Sequence, residues 1–263
     1  MLNTAQDVFL VVVWVVLSIT YLVLLNFLWS PARRRVHNDV IGWQISIIGT
    51  IYAVMIGFML YAVWANFQTA DTNVNGEANA LVNLFRSAEG LPAAQRSAIE
   101  IAAVNYSNAV VTKEWPTMRR DQVPSAGRPF IIQMWAIMSQ TPAQTYSEQV
   151  SLQQAMQEMS TLTRHRRMRI LDSETGMPAI LWTVLVFGGI ITIGSCGLIG
   201  TENIALHFTL LVAVSLLISL ALVAIADIDR SFQGGVHITP NAFVRAEATM
   251  FTPETIPNGS ASR

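Results

Sequence analysis

Four long apolar runs divide the chain, at about 8–29, 43–64, 178–200 and 204–226, and a stretch of two-faced helical pattern separates the second from the third. As a helix rising ~1.5 Å per residue, each run is long enough to cross a ~30 Å hydrocarbon layer. The second run organises the rest. WQISIIGTIYAVMIGFMLYAVW (Trp43–Trp64) passes into ANFQTADTNVN with no Gly or Pro at the junction. One helix is therefore expected to leave the membrane and continue into water. Stepping along it in sevens, with the intermediate third positions, picks out Tyr52, Met55, Met59, Ala62, Asn66, Thr69, Asn73 and Gly76. These form one slowly drifting stripe, apolar in the membrane and amide-rich beyond it. A pore-lining helix has this pattern, and so does a plain span with a solvated extension.

Beyond the second span the periodicity stays helical. Asp71, Asn75, Asn79 and Asn83 recur every fourth residue, while Phe67, Ala70, Val74, Ala78, Leu81 and Phe85 form the opposite face, which predicts a packed side and a wet side. EGLP at 89–92 is a break, and Pro92 suits the first position of a new helix over 96–114. Ile99, Ala102, Ala103, Tyr106, Ala109 and Val110 form its apolar face. Residues 115–129, rich in Pro and Gly, read as a loop. A short helix at 130–139 and a long one at about 143–171 follow, the latter with Val150, Met156, Met159, Leu162 and Met168 on its packed side. After the fourth span, Thr239 and Pro240 are the expected cap and first position of a last short helix. The final dozen residues read as a disordered tail. The expected fold is all-α: a first transmembrane hairpin in 1–65, a helical extramembrane region in 66–177, a second hairpin in 178–226 and a C-terminal segment in 227–263.

Composition supports the membrane reading: 52% of the residues are hydrophobic and 13% charged, against roughly 25% charged in a soluble domain. Net charge is −1, so nucleic acid is not an expected partner. No secretory signal is expected at the start, where the first seven residues carry no basic side chain. Cys196 is the single cysteine, lies in an apolar run and reads as a small buried residue. Arg33, Arg34 and Arg35 follow the first span and read as a topology signal or lipid-headgroup contact. Asn26 is near enough to that span's end to reach head groups. Basic flanks nearly balance on the two sides, and the large region is taken as cytoplasmic.

Catalytic patterns are missing. There is no Gly-rich phosphate loop, HExxH, Cys/His ligand set or G-x-S-x-G, so neither enzyme activity, cofactor nor metal is expected. His165 reads as part of a solvated basic face and His207 as an interfacial residue. The spans hold no carboxylate, Lys or Arg, although coupled transporters and proton-driven machines keep such groups at ~2.5–3.5 kcal/mol or more apiece. That disfavours coupled transport and a flagellar-type stator, and leaves a passive pore built by several copies. Asp227, Asp229 and Arg230 at the end of the fourth span read as helix termination or a local ion pair. Facing basic residues Arg164 to Arg169 would neutralise the two acids.

Three segments carry a resemblance: GFMLYAVWANFQTADTNVNGEANAL, RRMRILDSETGMPAILWTVL and ALVAIADIDRSFQGGVHITPNAF. Together they resemble the bestrophin-like domain family of bacterial membrane proteins over nearly the whole chain. The most specific part is D-x-D-R-S-F-x-G-G, carried by Asp227, Asp229, Arg230, Phe232 and Gly234, with Ser231 where the family usually has Pro. The resemblance implies likeness to bestrophins, pentameric anion channels with four membrane helices, cytoplasmic termini and a large cytoplasmic helical region. Their second helix lines the pore and constricts it with apolar residues that include phenylalanines. Here the stripe offers Tyr52, Met55, Met59 and Ala62, with Phe58 off it, then Asn66 and Asn73 as a polar vestibule. No acidic cluster resembling the bestrophin calcium clasp is present. The expected function is a homo-oligomeric passive channel in the inner membrane, with inorganic anions as its cargo. The alternative is a membrane-anchored scaffold or stress-signalling protein without transport.

Overall fold

The structure is a computed structural model and describes residues 4–252; the expected tail beyond 252 lies outside the described residues. Among those residues every regular element is helical. They form α1 (Thr4–Leu28), α2 (Pro31–Arg35), α3 (Asn38–Ser87), α4 (Ala93–Ala109), α5 (Trp115–Met118), α6 (Arg128–Ser139), α7 (Tyr146–Glu174), α8 (Ala179–Gly197), α9 (Ile204–Asp229) and α10 (Asn241–Phe251). Among the described residues, four helices are long and apolar enough to cross a membrane, namely Ala5–Leu28, the apolar part of Asn38–Gly90, Ala179–Gly197 and Ile204–Asp229. The chain divides into two compact units, 1–68 with 175–237 and 69–174 with 238–263.

In the first unit α9 packs against α1 and α8. One core holds Leu22, Tyr52, Ile193, Leu211 and Ile218, with Met55 and Trp14 half-buried against it. A second holds Val63, Leu185 and Ile225, with Met59 and Trp182 against it. Small residues let helices approach: a Cβ on Gly188 would meet the Tyr52 ring at 2.7 Å, so only glycine seats the α3 aromatic against α8.

The connection after α1 contains a short helix. Pro31 opens α2 at its first turn, where a missing N–H costs nothing. Arg34 is wholly buried, not set against head groups. It donates to the Gly197 carbonyl at 2.6 Å and to Asn26 Oδ1, so Asn26 also turns inward. Arg35 pairs with Glu202, and Asn38 exchanges two hydrogen bonds with the Gly200 backbone at 2.8 and 2.9 Å. The Gly197 carbonyl, left unpaired at the end of α8, is answered by Arg34, and Arg35 and Asn38 hold the 200–202 turn beside it.

In the second unit α4 packs on α6, α6 on α7 and α10 on α4. The expected packed face of α3 is buried at Ala70, Val74, Ala78, Leu81 and Phe85, and the α4 face at all six expected positions. Three expectations shift. The helix begun at Ala93 runs through a π turn at Val110–Glu114 into α5, so the loop starts later than Trp115. Pro116 follows that turn; its ring displaces the carbonyl four residues back, and the π turn takes up the extra residue there. On α7, Val150 and Met168 are exposed, while Met159 and Leu162 carry the packing. Pro240, not Thr239, occupies the cap of α10, without a side-chain cap bond.

Candidate functional site

The long helix α3 presents different chemistry on different faces. Within the membrane unit one face is internal. Tyr52 is 4% exposed and its hydroxyl donates to the Leu185 carbonyl at 2.9 Å. Met55 and Met59 pack on the two cores. These three members of the expected stripe belong to the protomer's own interior, while Ala62 and Asn66 are exposed. The stripe drifts by ~20° per heptad on a straight helix, and periodicity alone does not say which face meets which neighbour. Opposite Tyr52 and Val63 lies a second heptad stripe, Ile47, Ile51, Val54, Phe58 and Tyr61, all exposed. Val54, Gly57, Phe58 and Tyr61 border a shallow hollow. Phe58, off the expected stripe, is central to this one. Of the four spans, α3 has the smallest share of its apolar window buried, 6% against 11%, 22% and 28%.

Below the junction the same helix carries polar groups. Asn73 donates to Asp172 Oδ2 at 2.8 Å, and its Oδ1 lies 3.2 Å from His165 Nδ1. His165 is half-buried against Gly76 and does not sit on an open basic face; burial, then the nearby Arg164, pushes its pKa down. Burial holds the Asp172 carboxyl above the usual carboxylate range, against the hydrogen bond from Asn73.

Glu77, one turn on, is wholly buried. It accepts from Arg169 Nε at 2.6 Å and Nη2 at 3.0 Å, and Tyr106 donates its hydroxyl to the same carboxylate. Arg169 Nη2 also donates to Glu114 at 2.7 Å, and Arg166 Nη2 donates to Glu114 at 2.5 Å. The Gly127 N–H completes Glu114 at 2.8 Å. The Arg169 guanidinium lies 5.6 Å from the Trp115 ring centre and 5.9 Å from that of Phe243. Two acids and two arginines thus neutralise one another inside the second unit, joining α3, α4, α6, α7 and α10. Burial raises the Glu114 carboxyl, but Arg169 and Arg166 outweigh it and hold the group below the usual carboxylate range. Burial and then Glu77 push the Tyr106 hydroxyl well above its ordinary value. Sequence reasoning missed this cluster, although the signal was present. Glu77 falls between Val74 and Leu81 on the apolar face, and Arg166 and Arg169 continue the spacing of Met159 and Leu162.

The D-x-D-R-S-F-x-G-G run ends the fourth span by backbone capture. Asp229 accepts from the Met177 N–H at 2.8 Å, and Asp227 accepts from Gly235 and Val236 at 2.7 and 3.1 Å. Gly234 sits at φ 79°, where a side chain would be strained and a Cβ would strike Asp227. Phe232 is buried. Arg166 and Arg169 pair with Glu114 and Glu77, not with these acids. His207 is buried, with Nε2 3.2 Å from the Cys196 carbonyl. No group of three or more metal-ligating side chains occurs among the described residues.

A family model described as the Bestrophin-like domain matches residues 3–243. The chain belongs to the bestrophin-like domain family. Solved structures agree in fold. This bestrophin-like chain superposes on a bacterial bestrophin homologue from Klebsiella pneumoniae with a TM-score of 0.70 at 13% identity, covering 92% of this chain and 96% of that one. Two single-substitution variants of a Klebsiella pneumoniae homologue give 0.70 at 12% identity, covering 93% and 97%, and 0.68 at 13%, covering 94% and 100%. No curated protein matches the sequence. The bestrophin-like chain is therefore an all-helical membrane protein.

Proposed function

We propose that copies of this bestrophin-like chain assemble into a passive ion channel, with anions as cargo and α3 lining the pore. The carrying observation is the outward face of α3, the least covered span, with Ile51, Val54, Phe58 and Tyr61 in one heptad stripe. Four spans enclose little by themselves, so a pore requires several copies around an axis. Ringed there, an apolar stripe of this kind makes a constriction that gates by dewetting. Ala62 and Asn66 flank the stripe at its polar end. The apolar runs 8–29, 43–64, 178–200 and 204–226 hold no carboxylate, which supports passive over coupled movement. Bestrophins, pentameric anion channels in which the second helix lines the pore, supply the analogy, which bears on fold more than on activity. The same analogy supports an inner-membrane location with the 66–177 region and both ends cytoplasmic.

Halide flux into liposomes containing the purified protein tests the reading. Wild type is expected to conduct, Phe58→Ala to conduct faster, and Met59→Ala to change flux only through folding. Silence in wild type and Phe58→Ala, from an assembled oligomer, would overturn the channel and leave the membrane-anchored scaffold. Sidedness is read by impermeant labelling of Asn79→Cys in a Cys196→Ala background, where labelling of intact cells reverses the assignment.

A further inference from the structure

Away from α3, the second unit holds a cavity of about 420 Å³ lined by Arg128, Ile131, Thr163, Arg166, Arg167 and Ile170. Three guanidiniums around one hollow is an arrangement that repels itself unless something negative is near. Arg166 is answered on one side by Glu114. Its Nε is buried and bonds to no residue among those described, the side chain being 9% exposed. Arg166 therefore keeps donor capacity beyond its ion pair. Arg128 and Arg167 are exposed at the rim and have no ion pair among the described residues. Thr163 donates its hydroxyl to the Met159 carbonyl at 2.8 Å and so presents oxygen lone pairs, not a proton. Recognition would therefore rest on the three arginines.

We propose that this cavity binds a tetrahedral oxyanion of the phosphate class. A guanidinium offers planar, paired donors that match two oxygens of such a group, which a spherical halide lacks. Arg166 is pre-oriented by its bond to Glu114, so little side-chain freedom is lost when the ligand arrives. Arg128 and Arg167 supply two charges that no carboxylate in the described ion pairs cancels. Ile131 and Ile170 form the apolar side of the hollow. The source is either free phosphate, alone or on a small metabolite, or the phosphate of an anionic phospholipid. The inference concerns an extramembrane site and stands whether or not the protein conducts.

The test uses the full-length protein in detergent, with thermal unfolding followed against inorganic phosphate at fixed pH and ionic strength, chloride replacing phosphate. A saturable rise in Tm is expected in wild type. Arg128→Gln and Arg167→Gln are expected to weaken the apparent Kd about tenfold or more, the loss of one charge-assisted bond. Arg120→Gln, an exposed arginine outside the cavity, is expected to behave as wild type. The second arm compares nanodiscs of phosphatidylcholine with and without phosphatidylglycerol. Protection by phosphatidylglycerol that Arg128→Gln and Arg167→Gln abolish, with no response to free phosphate, assigns the site to a lipid headgroup. The proposal is overturned if neither ligand stabilises wild type saturably. It is equally overturned if the two cavity variants respond as wild type does, or if Arg120→Gln loses the response with them.

Discussion

In the membrane unit, tyrosine hydroxyls reach backbone carbonyls of neighbouring helices one at a time: Tyr21 to Gly194 and Tyr52 to Leu185. In the second unit Glu77, Glu114, Arg166 and Arg169 answer one another side chain to side chain. The difference follows from the cost of charge. Within an apolar span a neutral hydroxyl on a carbonyl asks little, whereas a carboxylate would have to be desolvated in lipid. A water-facing helical domain tolerates a buried ion cluster provided every group is paired, and such a cluster penalises wrong registers heavily. The units also differ in what they leave uncovered. The spans bury little of their apolar windows, while α4 and α6 bury Ile99, Tyr106 and Met134 completely or nearly so. The apolar faces of the first unit need cover from outside the protomer; the second provides its own cover.

The largest expected effect breaks the charged core. Arg169→Met leaves Glu77 and Glu114 buried without their main partner, which costs about 3–5 kcal/mol. Thermal or denaturant unfolding in detergent measures it. Glu77→Gln combined with Arg169→Met is expected to recover part of the loss. A double variant no better than the sum of the singles would mean that the acids and arginines are not coupled. Acid acts on the same cluster. Glu114 has a folded pKa below its unfolded value of ~4.3. Its contribution is therefore present above pH ~4.3 and lost as pH falls through the lower, folded value. A Glu114→Gln variant is expected to be less stable near neutrality, with a flatter loss of stability below pH ~4.3.

How much of this was legible in the sequence depends on whether a feature is local. The unbroken passage of α3 from apolar to polar, and its wet Asn79 and Asn83, follow from spacing alone. So does the small-residue character of α8. The partners of Arg34 and Arg169 do not, because Gly197 and Glu77 lie 163 and 92 residues away. Nor does the azimuth of α3. A repeat of seven defines stripes, but Tyr52 became internal because Gly188 leaves room for its ring, a fact about another helix. The buried charges left a trace that could have been followed, since Glu77, Arg166 and Arg169 occupy apolar-face positions.

A middle-sized effect tests the helix contact in the membrane unit. Gly188→Val places branched carbons where the Tyr52 ring lies 2.7 Å from a Cβ, and overpacking of this kind costs about 1–3 kcal/mol. Tyr52→Ala in the same chain is expected to relieve the clash while adding a cavity. Additive losses in the pair would show that the two residues do not meet. Tyr52→Phe removes only the hydroxyl, and buried hydrogen bonds between membrane helices average about 0.6 kcal/mol. Its Tm is expected to fall slightly, far less than after any change at Arg169.

The smallest expected effect on folding is at Phe58, although the proposed function makes it the most informative. The side chain is 67% exposed and packs on no core of its own protomer. Phe58→Ala should therefore change the protomer's stability by no more than about 0.5 kcal/mol, while altering flux or the strength of assembly. Oligomeric state in detergent, read beside liposome flux, separates the possibilities. Unchanged assembly with faster flux fits a constriction. Lost assembly with no flux makes Phe58 a contact between copies, and moves the lining to another face of α3. Unchanged assembly and unchanged flux would mean that Phe58 meets only lipid, and would remove the outward stripe as a pore wall.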